Sequence, residues 1–398
     1  MNKKTSIAIY ALHPITYQTP IFEDLHNKLD KEDLGIDIEV LFGDDLSLRE
    51  VFYEHLKSLV KFDNDLRLEK FPNKFLKNYA RDARRGFFSR INPGIFLDIV
   101  INRRDIVLVH GYATFTTFSA IIFAKLLSRK VIFRGESVLE GNNNKILIRI
   151  IKKIILQILF FFIDKFAYSC EGNRRFFQHY GVKSEKLFFM PCAVNNEYFL
   201  NLKKQIAPQI GEIKDRYNVP IDHFIILFCA RFTARKRPVD LIKAVCSIDH
   251  KKITILFVGD GPERNLMEEE VRKSGINAIF TGFLITDEVA KLESISDVSV
   301  NLSSMDPSPK SVNQAMLFSL PIIITDVVGT AHDLVENGIN GFIIKVGDIK
   351  ALAEHLKFLE INKKLRLEMG RKSLEKVICW NFSVGTLNLI NAIKSLKK

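Results

Sequence analysis

The sequence predicts an α/β protein made of two doubly wound parallel-sheet domains. The chain has 398 residues, which is too long for one ordinary hydrophobic core. Short apolar runs alternate with helical patterns from end to end, as in parallel sheets that are covered by helices on both faces. A polar, Lys-rich stretch over residues 195–222 has no apolar run of strand type, and it separates two series of such runs.

The predicted strands are short runs rich in Val, Ile, Leu and Phe, and helical patterns lie between them. In the first series they are Ser6–Leu12, Ile36–Phe42, Asp105–Gly111, Lys130–Gly135, Lys165–Cys170 and Lys186–Cys192. In the second series they are Phe224–Ala230, Ile253–Gly259, Ala278–Phe283, Val298–Leu302, Pro321–Asp326 and Gly341–Val346. We therefore predict a first domain over residues 1–200, a second over 201–378, and a C-terminal helix over 379–398 that packs back toward the first domain.

The composition is that of a globular protein from a reducing compartment. Apolar residues make up 47% of the chain and charged residues 26%, which excludes an intrinsically disordered protein. The five cysteines are scattered and form neither a CxxC motif nor a Cys/His cluster, so we expect buried free thiols. The first apolar run is short and lacks a cleavage site, which is typical of a first strand and not of a signal peptide. These features predict a cytoplasmic protein.

Positive charge is concentrated in two stretches of the first half. Residues 67–104 contain ten Lys/Arg against three Asp/Glu, and residues 125–153 contain eight against two. Such clusters suit an anionic membrane surface, and a merely solvated basic face is the alternative. No helix-turn-helix, zinc-finger or aromatic RNA-binding signature accompanies them, so we expect no nucleic-acid partner.

The segment Lys145–Phe162 predicts an amphipathic helix. Its charged and polar residues recur at helical spacing. Its longest uninterrupted apolar run, Ile158–Ile163, is far shorter than the roughly 18 residues of a membrane span. Two interpretations remain open: the helix packs on a sheet with its basic edge in water, or it contacts an anionic membrane surface.

The stretch over residues 304–347 contains the most informative candidate site. If Ser308–Ser319 is helical, then Lys310, Ser311 and Val312 present free backbone N–H groups, and the helix dipole favours an anion there. Asp306 lies just before this helix and Gln314 lies about two turns along it, so both can border a ligand whose phosphates sit at the helix tip. A sugar nucleotide has this shape.

Two cations follow the first predicted strand of the second domain. Arg231 and Lys236 are five residues apart, and both heads can reach one diphosphate. Arginine offers a planar fork and lysine a point charge, a pairing suited to neutralising a departing nucleoside diphosphate. The alternative is that they are solvated loop cations in the basic run at residues 235–237.

Polar residues also follow the predicted strands of the first domain. His110 ends one strand and Arg134–Glu136 end the next, although His110 can equally be a satisfied strand-end histidine. His13, Tyr17 and Gln18 lie in the first strand-to-helix turn, where an acceptor or a phosphate can sit. This turn lacks the Gly-rich fingerprint of dinucleotide sites, so no such cofactor is expected. Asp63-Asn64-Asp65 has a DxD spacing but no strand end to place it, and no metal is implied.

Several motifs, taken in order, resemble those of family-4 glycosyltransferases. In the second half they are Ala230-Arg231 with Lys236, Phe257–Pro262, Phe280–Phe283, and Asp306 with Gln314 at the two acidic positions of the family's Glu–seven–Glu motif. In the first half they are His13–Pro20, His110-Gly111, Arg134–Ser137 and Pro191–Phe199. Each motif is weak alone, but their order and spacing cover more than 300 residues of the chain.

The resemblance implies the GT-B fold, with two facing Rossmann-like domains and a C-terminal helix. It implies transfer of a hexosyl-type sugar, with retention, from a nucleotide-diphosphate sugar to a glycan or lipid-linked acceptor. No metal or other cofactor is expected. The setting would be polysaccharide or lipopolysaccharide synthesis in the cytoplasm, peripheral to the inner face of a membrane.

The resemblance also implies roles for residues in both domains. The implied catalytic residues are Asp306, Glu136, His110 and Arg134. The implied donor-binding residues are Arg231, Lys236, Gly261, Phe283, Lys310, Ser311 and Gln314. The implied acceptor-side residues are His13, Tyr17 and Gln18.

Asp306 and Gln314 depart from the family pattern. Asp306 keeps a carboxylate on a shorter side chain, whereas Gln314 replaces a charged acceptor by a neutral amide. A charge-assisted hydrogen bond exceeds a neutral one by about 1 kcal/mol, so donor binding is expected to be weaker at Gln314. The alternatives are a non-catalytic protein of the same fold that binds a sugar nucleotide or a partner enzyme, and a nucleotide-sugar epimerase of similar fold.

Overall fold

The computed structural model describes residues 4–49, 51–53, 58–60, 66–82, 86–139 and 146–397. The chain divides into two compact units. The first comprises residues 1–52, 59–192 and 382–398, and the second comprises residues 53–58 and 193–381. Each unit contains one parallel sheet that is flanked by helices, which confirms the predicted fold class.

Seven of the first nine strands form the parallel sheet of the first unit. The nine strands are β1 (Thr5–Ala11), β2 (Ile36–Phe42), β3 (Val51–Tyr53), β4 (Ser58–Val60), β5 (Asn73–Phe75), β6 (Ile106–His110), β7 (Lys130–Arg134), β8 (Lys165–Tyr168) and β9 (Leu187–Phe189). The sheet has the order β5-β2-β1-β6-β7-β8-β9, while β3 and β4 form a separate two-stranded sheet. The strands β3, β4 and β5 were not predicted, because runs of three residues carry little periodicity. β9 is equally short, but it lies within the longer predicted run Lys186–Cys192.

Helices cover both faces of the first sheet. In chain order they begin with α1 (Thr19–Lys31), α2 (Gly94–Ile101), α3 (Phe115–Leu126), α4 (Ile146–Phe161) and α5 (Glu171–His179). Alternate residues of β1 enter different cores: Ile7 and Ile9 join the cluster that contains α1, whereas Ala8 and Tyr10 join the cluster that contains α2, α3, α4 and α5. A capping box between Thr114 and Thr117 begins α3 at the carboxyl edge of this sheet.

The second unit contains a six-stranded parallel sheet with the order β12-β11-β10-β13-β14-β15. Its strands are β10 (Phe224–Cys229), β11 (Ile253–Val258), β12 (Asn277–Gly282), β13 (Val298–Asn301), β14 (Ile322–Thr325) and β15 (Gly341–Ile344). Its helices are α6 (Asn196–Ile206), α7 (Ile210–Arg216), α8 (Pro238–Cys246), α9 (Arg264–Ser274), α10 (Thr286–Ile295), α11 (Lys310–Leu317), α12 (Ala331–Leu334), α13 (Ile349–Ile361) and α14 (Lys363–Ile378). The polar stretch between the two series of strands thus contains α6 and α7, and both pack on α10.

The last helix, α15 (Phe382–Leu396), is part of the first unit. It packs against α1 and β9, and its Leu389, Ile390 and Ile393 join the same core as Ile7 and Ile9. The Asn388 side chain donates a hydrogen bond of 2.9 Å to the carbonyl of Phe189. These contacts attach the C-terminal helix to the edge of the first sheet near β9.

Most apolar side chains of α4 are exposed, which contradicts the interpretation in which only its basic edge faces water. Only Leu156, Leu159 and Phe160 of this helix are buried. Its exposed apolar side chains are Ile146, Leu147, Ile148, Ile150, Ile151, Ile154, Ile155, Ile158 and Phe161. Among the residues that the structure describes, no helix combines the length and the apolar character needed to cross a bilayer.

The cysteines agree only in part with the prediction of buried free thiols. None of the five forms a disulfide; Cys170 and Cys192 are buried, and Cys229 is half-buried. Cys246 and Cys379 are exposed, so the prediction of burial is wrong for them. Both end a helix, where a small apolar residue is tolerated at the surface.

Candidate active site

The predicted donor residues of the second unit lie on loops that share one edge of its sheet. Strands β12, β11, β10 and β13 are consecutive neighbours and run parallel, so the loops that follow them meet at their carboxyl ends. Phe283 follows β12, Gly261 follows β11, Arg231 follows β10, and Asp306 follows β13. The sheet order therefore brings these four residues to one edge, although they span about 75 residues of sequence.

The turn after β11 packs against the loop after β10. Phe232, which is fully buried, donates its N–H to the carbonyl of Asp260 at 2.9 Å, and Ala230 donates to Val258 at 3.1 Å. A Cβ atom at Gly261 would lie 2.3 Å from the Phe232 carbonyl oxygen, so only glycine fits there. Gly261 thus has a structural role, since it allows the two loops to approach each other.

Asp306 is held by contacts with two other loops. Its carbonyl accepts the N–H of Gly329, in the loop after β14, at 2.8 Å. Its carboxylate forms an ion pair with Lys236, in the loop after β10. The two side chains are only 12% and 13% exposed, so this pair is partly withdrawn from water. Sequence reasoning assigned the two residues to different parts of a donor, whereas the structure pairs them.

Neighbouring contacts fasten the same two loops together. Arg235 donates a hydrogen bond of 2.6 Å from its guanidinium to the carbonyl of Met305, and its own carbonyl accepts the N–H of Ser304 at 2.8 Å. Arg237 has a left-handed backbone and binds Asp240 at 2.6 Å. Arg231 remains exposed at the start of the loop. Arg235 and Arg237 therefore organise the loop that carries Lys236, a role that a run of three basic residues did not reveal.

The helix after Asp306 starts later than predicted. α11 begins at Lys310, and Val312 donates its N–H to the carbonyl of Pro309 at 3.1 Å. The expectation that the Val312 N–H is free is therefore wrong, because the first turn closes on Pro309. Lys310 and Ser311 lie in this first turn, and Gln314 is half-buried further along the helix.

The predicted residues of the first unit also share one sheet edge. Strands β1, β6 and β7 are neighbours, and the loops after them meet at their carboxyl ends. An open pocket of about 260 Å³ lies at this edge. Its lining includes all six residues that the sequence analysis singled out here, namely His13, Tyr17, Gln18, His110, Arg134 and Glu136.

His110 and Arg134 are buried neighbours across the pair of strands β6 and β7. Burial, together with the charge of Arg134, lowers the pKa of His110 to about 3, so the imidazole is neutral at physiological pH. Its ring packs edge-to-face against Phe22 with centroids 5.8 Å apart. Glu136 accepts a hydrogen bond from the thiol of Cys192 at 3.0 Å and lies 3.8 Å from the Arg134 guanidinium.

A buried acid lies on the helix after β12 and was missed by sequence reasoning. Glu293, on α10, is 1% exposed, and within the described residues neither carboxylate oxygen has a hydrogen-bond partner. Burial raises the pKa of Glu293 well above its ordinary value. Burial and the Glu293 charge together raise the pKa of Cys229, at the end of β10, to about 12. The sequence offers no signal for this residue, because an acidic position on an amphipathic helix is normally solvated.

Replacing Glu293 by leucine is expected to stabilise the protein by roughly 1–3 kcal/mol at pH 8, because an unpaired buried polar group is removed. The pKa of this carboxyl is higher in the folded state than in the unfolded state, where it is about 4.3. Its protonation therefore stabilises the folded state fully at pH values below about 4.3, and this stabilisation is lost as the pH rises through the pKa of the folded state. The gain in Tm over the wild type should therefore be larger at pH 8 than at pH 5.

Glu288→Gln is the matched control, because Glu288 lies on the same helix but is ion-paired with Lys291. It should be neutral or slightly destabilising. A Glu293→Leu variant that melts below the wild type at both pH values would contradict the expected destabilising effect of this carboxyl.

The site geometry carries no metal cluster in the part of the chain that is described. Within the described ranges, no three His, Cys, Asp or Glu side chains come together in a group that could hold a metal ion. The Asp63-Asn64-Asp65 segment lies outside the described residues.

Two parallel Rossmann-like sheets, each with its polar side chains gathered at the carboxyl edge, define a protein of the GT-B class. Residues 209–376 match the family model described as glycosyl transferases group 1, and this range lies inside the second unit. This match confirms the resemblance to glycosyltransferases that was inferred from the sequence.

Two known glycosyltransferases are similar in sequence to parts of this chain. The chain is 27% identical over 203 residues to a putative glycosyltransferase, EpsD, of Bacillus subtilis, an alignment that covers 49% of this chain and 51% of EpsD. It is 22% identical over 248 residues to the Campylobacter jejuni α-1,4-N-acetyl-D-galactosaminyltransferase that is named for a diNAcBac-PP-undecaprenol-linked acceptor, covering 62% and 63% of the two chains. The chain thus spans less than two thirds of either relative.

A solved structure with the same fold is Anabaena HepE in complex with UDP. It superposes with a TM-score of 0.71 over 99% of this chain and 100% of HepE, at 15% identity. At this level of identity the likeness shows the fold alone.

Proposed function

We propose that this protein is a retaining glycosyltransferase that moves a hexosyl-type sugar from a nucleotide-diphosphate sugar to a glycan or lipid-linked acceptor. The observation that carries the proposal is the gathering of Arg231, Lys236 and Asp306 at the carboxyl edge of the second sheet, with Gln314 on α11, the helix that follows Asp306. Polar contacts for a sugar, cations for a diphosphate and a helix start occur together there. The UDP complex of HepE and the sugar transfers named for the relatives support the same assignment.

Each residue of the second unit has a specific part in the proposal. Arg231 is exposed and can contact the diphosphate directly with its planar fork. Lys236 is already bound to Asp306, so it acts on the diphosphate and on the Asp306 carboxylate together. Asp306 bonds hydroxyl groups of the transferred sugar and stabilises positive charge as the glycosidic bond breaks. Gln314, further along α11, bonds the ribose.

The first unit supplies the acceptor side of the proposal. Its pocket is lined by His13, Tyr17, Gln18, His110, Arg134 and Glu136. Glu136 is half-exposed and carries the carboxylate that can accept a proton from an acceptor hydroxyl. His110 is neutral because of its lowered pKa, so it acts as a hydrogen-bonding group and not as a cation.

We also propose that the protein works at the inner, cytoplasmic face of a membrane, in polysaccharide, lipopolysaccharide or other glycolipid synthesis. Nine exposed apolar side chains of α4 lie beside Arg149, Lys152 and Lys153 on the same helix. An apolar face with cations at its border suits the interface of an anionic bilayer. The lipid-linked acceptor named for the Campylobacter relative supports this placement.

A donor screen followed by turnover tests the function. Thermal shifts with UDP-, GDP-, dTDP- and CMP-sugars should identify one nucleotide, and that donor should then be consumed with an acceptor extract of membrane glycolipids or glycans. Transfer should persist in EDTA, because the diphosphate is held by cationic side chains and a helix start. Loss of turnover in EDTA that Mn²⁺ or Mg²⁺ restores would contradict the metal-free mechanism.

A non-catalytic binder of sugar nucleotides is the second candidate, and the neutral Gln314 is the observation that favours it. It predicts a thermal shift with a nucleotide but no turnover with any donor. Binding without turnover across the whole donor set, with membranes supplied as acceptor, would replace the enzyme proposal by this one.

A further inference from the structure

Arg134 is a deeply buried cation of the first unit. It ends β7, its side chain is only 2% exposed, and it lines the pocket at the carboxyl edge of the sheet. Within the described part of the chain, its Nε, Nη1 and Nη2 atoms are all buried and none of them makes a hydrogen bond. A buried guanidinium without hydrogen bonds is costly, because all of its donors lose water and gain nothing in return.

The neighbouring groups do not satisfy this guanidinium. The Glu136 carboxylate is 3.8 Å away, which is beyond hydrogen-bond distance, and it accepts the Cys192 thiol at 3.0 Å. His110, the neighbour of Arg134 across the strands, is neutral. The same pocket is lined by His13 and His110. The buried atoms His13 Nδ1 and His110 Nε2 also have no hydrogen-bond partner within the described residues. The pocket thus has a positive group and two ring nitrogens whose hydrogen-bonding capacity is unused.

We infer that this pocket binds an oxyanion, a phosphate or a carboxylate, that is carried by the acceptor. The planar fork of Arg134 matches the two oxygens of such a group, whereas a single neutral sugar hydroxyl would leave most of the buried guanidinium N–H groups without a hydrogen bond. The donor diphosphate has its own cations, Arg231 and Lys236, in the second unit, so the acceptor is the source of the anion. This inference rests on the proposed glycosyl transfer, and it narrows the acceptor to an anionic class.

Inorganic phosphate is the probe for the test. Titration calorimetry and thermal shifts with phosphate, against chloride at matched ionic strength, should show binding to the wild-type chain that raises its Tm. Arg134→Met should abolish this phosphate-dependent shift. The same variant should melt above the wild type in phosphate-free buffer, because it removes a buried cation that has no hydrogen bonds. A structural arginine would behave in the opposite way, so a lower Tm with the phosphate shift retained would overturn the inference.

Two further variants keep the test decisive if Arg134→Met does not fold. Arg134→Lys keeps the charge but loses the fork, and it should weaken phosphate binding roughly tenfold. Arg175→Met removes an exposed arginine that is paired with Glu171 on α5, and it should leave phosphate binding unchanged. Equal phosphate affinity of Arg134→Lys and the wild type would contradict a site built on the fork.

The source of the anion is tested by competition with UDP. Phosphate bound through Arg134 should remain bound when UDP saturates the protein, and displacement by UDP would assign the anion to the donor and overturn the inference. This result is independent of the proposed function. Transfer to neutral acceptors alone, with no phosphate binding at Arg134, would contradict the inference but would be consistent with the proposed glycosyltransferase activity. Phosphate binding through Arg134 without any turnover would support the site and count against the enzyme.

Discussion

Replacing Asp306 by alanine is expected to reduce kcat by roughly 10- to 150-fold. This is the effect expected when one charge-assisted hydrogen bond that forms in the transition state is lost. The affinity for a nucleoside diphosphate should not fall. In the wild type Lys236 is bound to Asp306, and both side chains are largely withdrawn from water. Removal of the carboxylate releases the lysine, which can then bind the diphosphate more strongly.

Lys236→Ala should have the opposite profile. It removes a cation from the diphosphate and leaves Asp306 without its partner, so nucleotide affinity should fall by roughly 1–3 kcal/mol. Gln314→Glu should tighten donor binding with little change in kcat, because it restores the second carboxylate of the family motif. The three variants therefore separate a role in the transition state from roles in ground-state binding.

Asp222→Ala is the matched control for the Asp306 experiment. It also removes an aspartate that is paired with a lysine, Lys252, but this pair is well exposed. Asp222 lies just before β10 and Lys252 just before β11, at the amino ends of these strands and away from the site. Its kcat should be that of the wild type, as expected for an exposed ion pair. If Asp306→Ala retained full turnover, the catalytic role that we assign to this carboxylate would be wrong.

Charging the apolar face of α4 is expected to weaken binding to anionic vesicles by more than 30-fold. Ile154 and Ile158 are four residues apart, on one face of the helix, and are 52% and 58% exposed. Insertion of the exposed half of each side chain contributes about 1 kcal/mol, so Ile154→Glu/Ile158→Glu loses about 2 kcal/mol before repulsion by the lipid headgroups is added. Co-sedimentation with phosphatidylglycerol-containing vesicles measures this change.

Salt separates the two components of membrane binding. Added salt should weaken the binding of the wild-type chain, because Arg149, Lys152 and Lys153 contribute electrostatically. Binding should not vanish, because the apolar component is insensitive to screening. Ile361→Glu, at the end of α13, changes an isoleucine that is 67% exposed and is expected to leave vesicle binding unaltered.

Two outcomes would contradict this membrane contact. One is a wild-type chain that does not co-sediment at low salt. The other is a double variant that binds vesicles normally while sedimentation velocity shows a change in oligomeric state, which would assign the α4 face to a second copy of the chain.

The sequence by itself was sufficient for the fold class and for the identity of the edge residues. Buried parallel strands are local apolar runs, so Phe224–Ala230 and Ile253–Gly259 could be recognised within a residue or two of β10 and β11. Residues that follow such strands come to one sheet edge in any doubly wound domain. For this reason His13, His110, Arg134 and Glu136, which are far apart in sequence, could be grouped before their pocket was seen.

Local patterns could not reveal how these side chains are paired. Lys236 and Asp306 are 70 residues apart, and each was assigned to a ligand, whereas the adjacency of β10 and β13 lets them bind each other. Gly261 was assigned to the donor, but the clash that a Cβ atom there would make with the Phe232 backbone shows that two loops need this glycine for their close approach. The sequence shows only that a glycine is present in the motif. It does not show whether the glycine serves donor binding or the close approach of two loops.

Burial was likewise decided only by the tertiary structure. The pattern of α4 indicated an amphipathic helix, but which of its apolar residues are covered depends on the neighbouring helices, and most of them are not covered. Glu293 and Arg134 have ordinary sequence surroundings, yet the chain buries both without hydrogen bonds to their charged groups within the described residues. The free energy of a charge depends on the water and partners that remain around it after folding, and those come from segments distant in sequence.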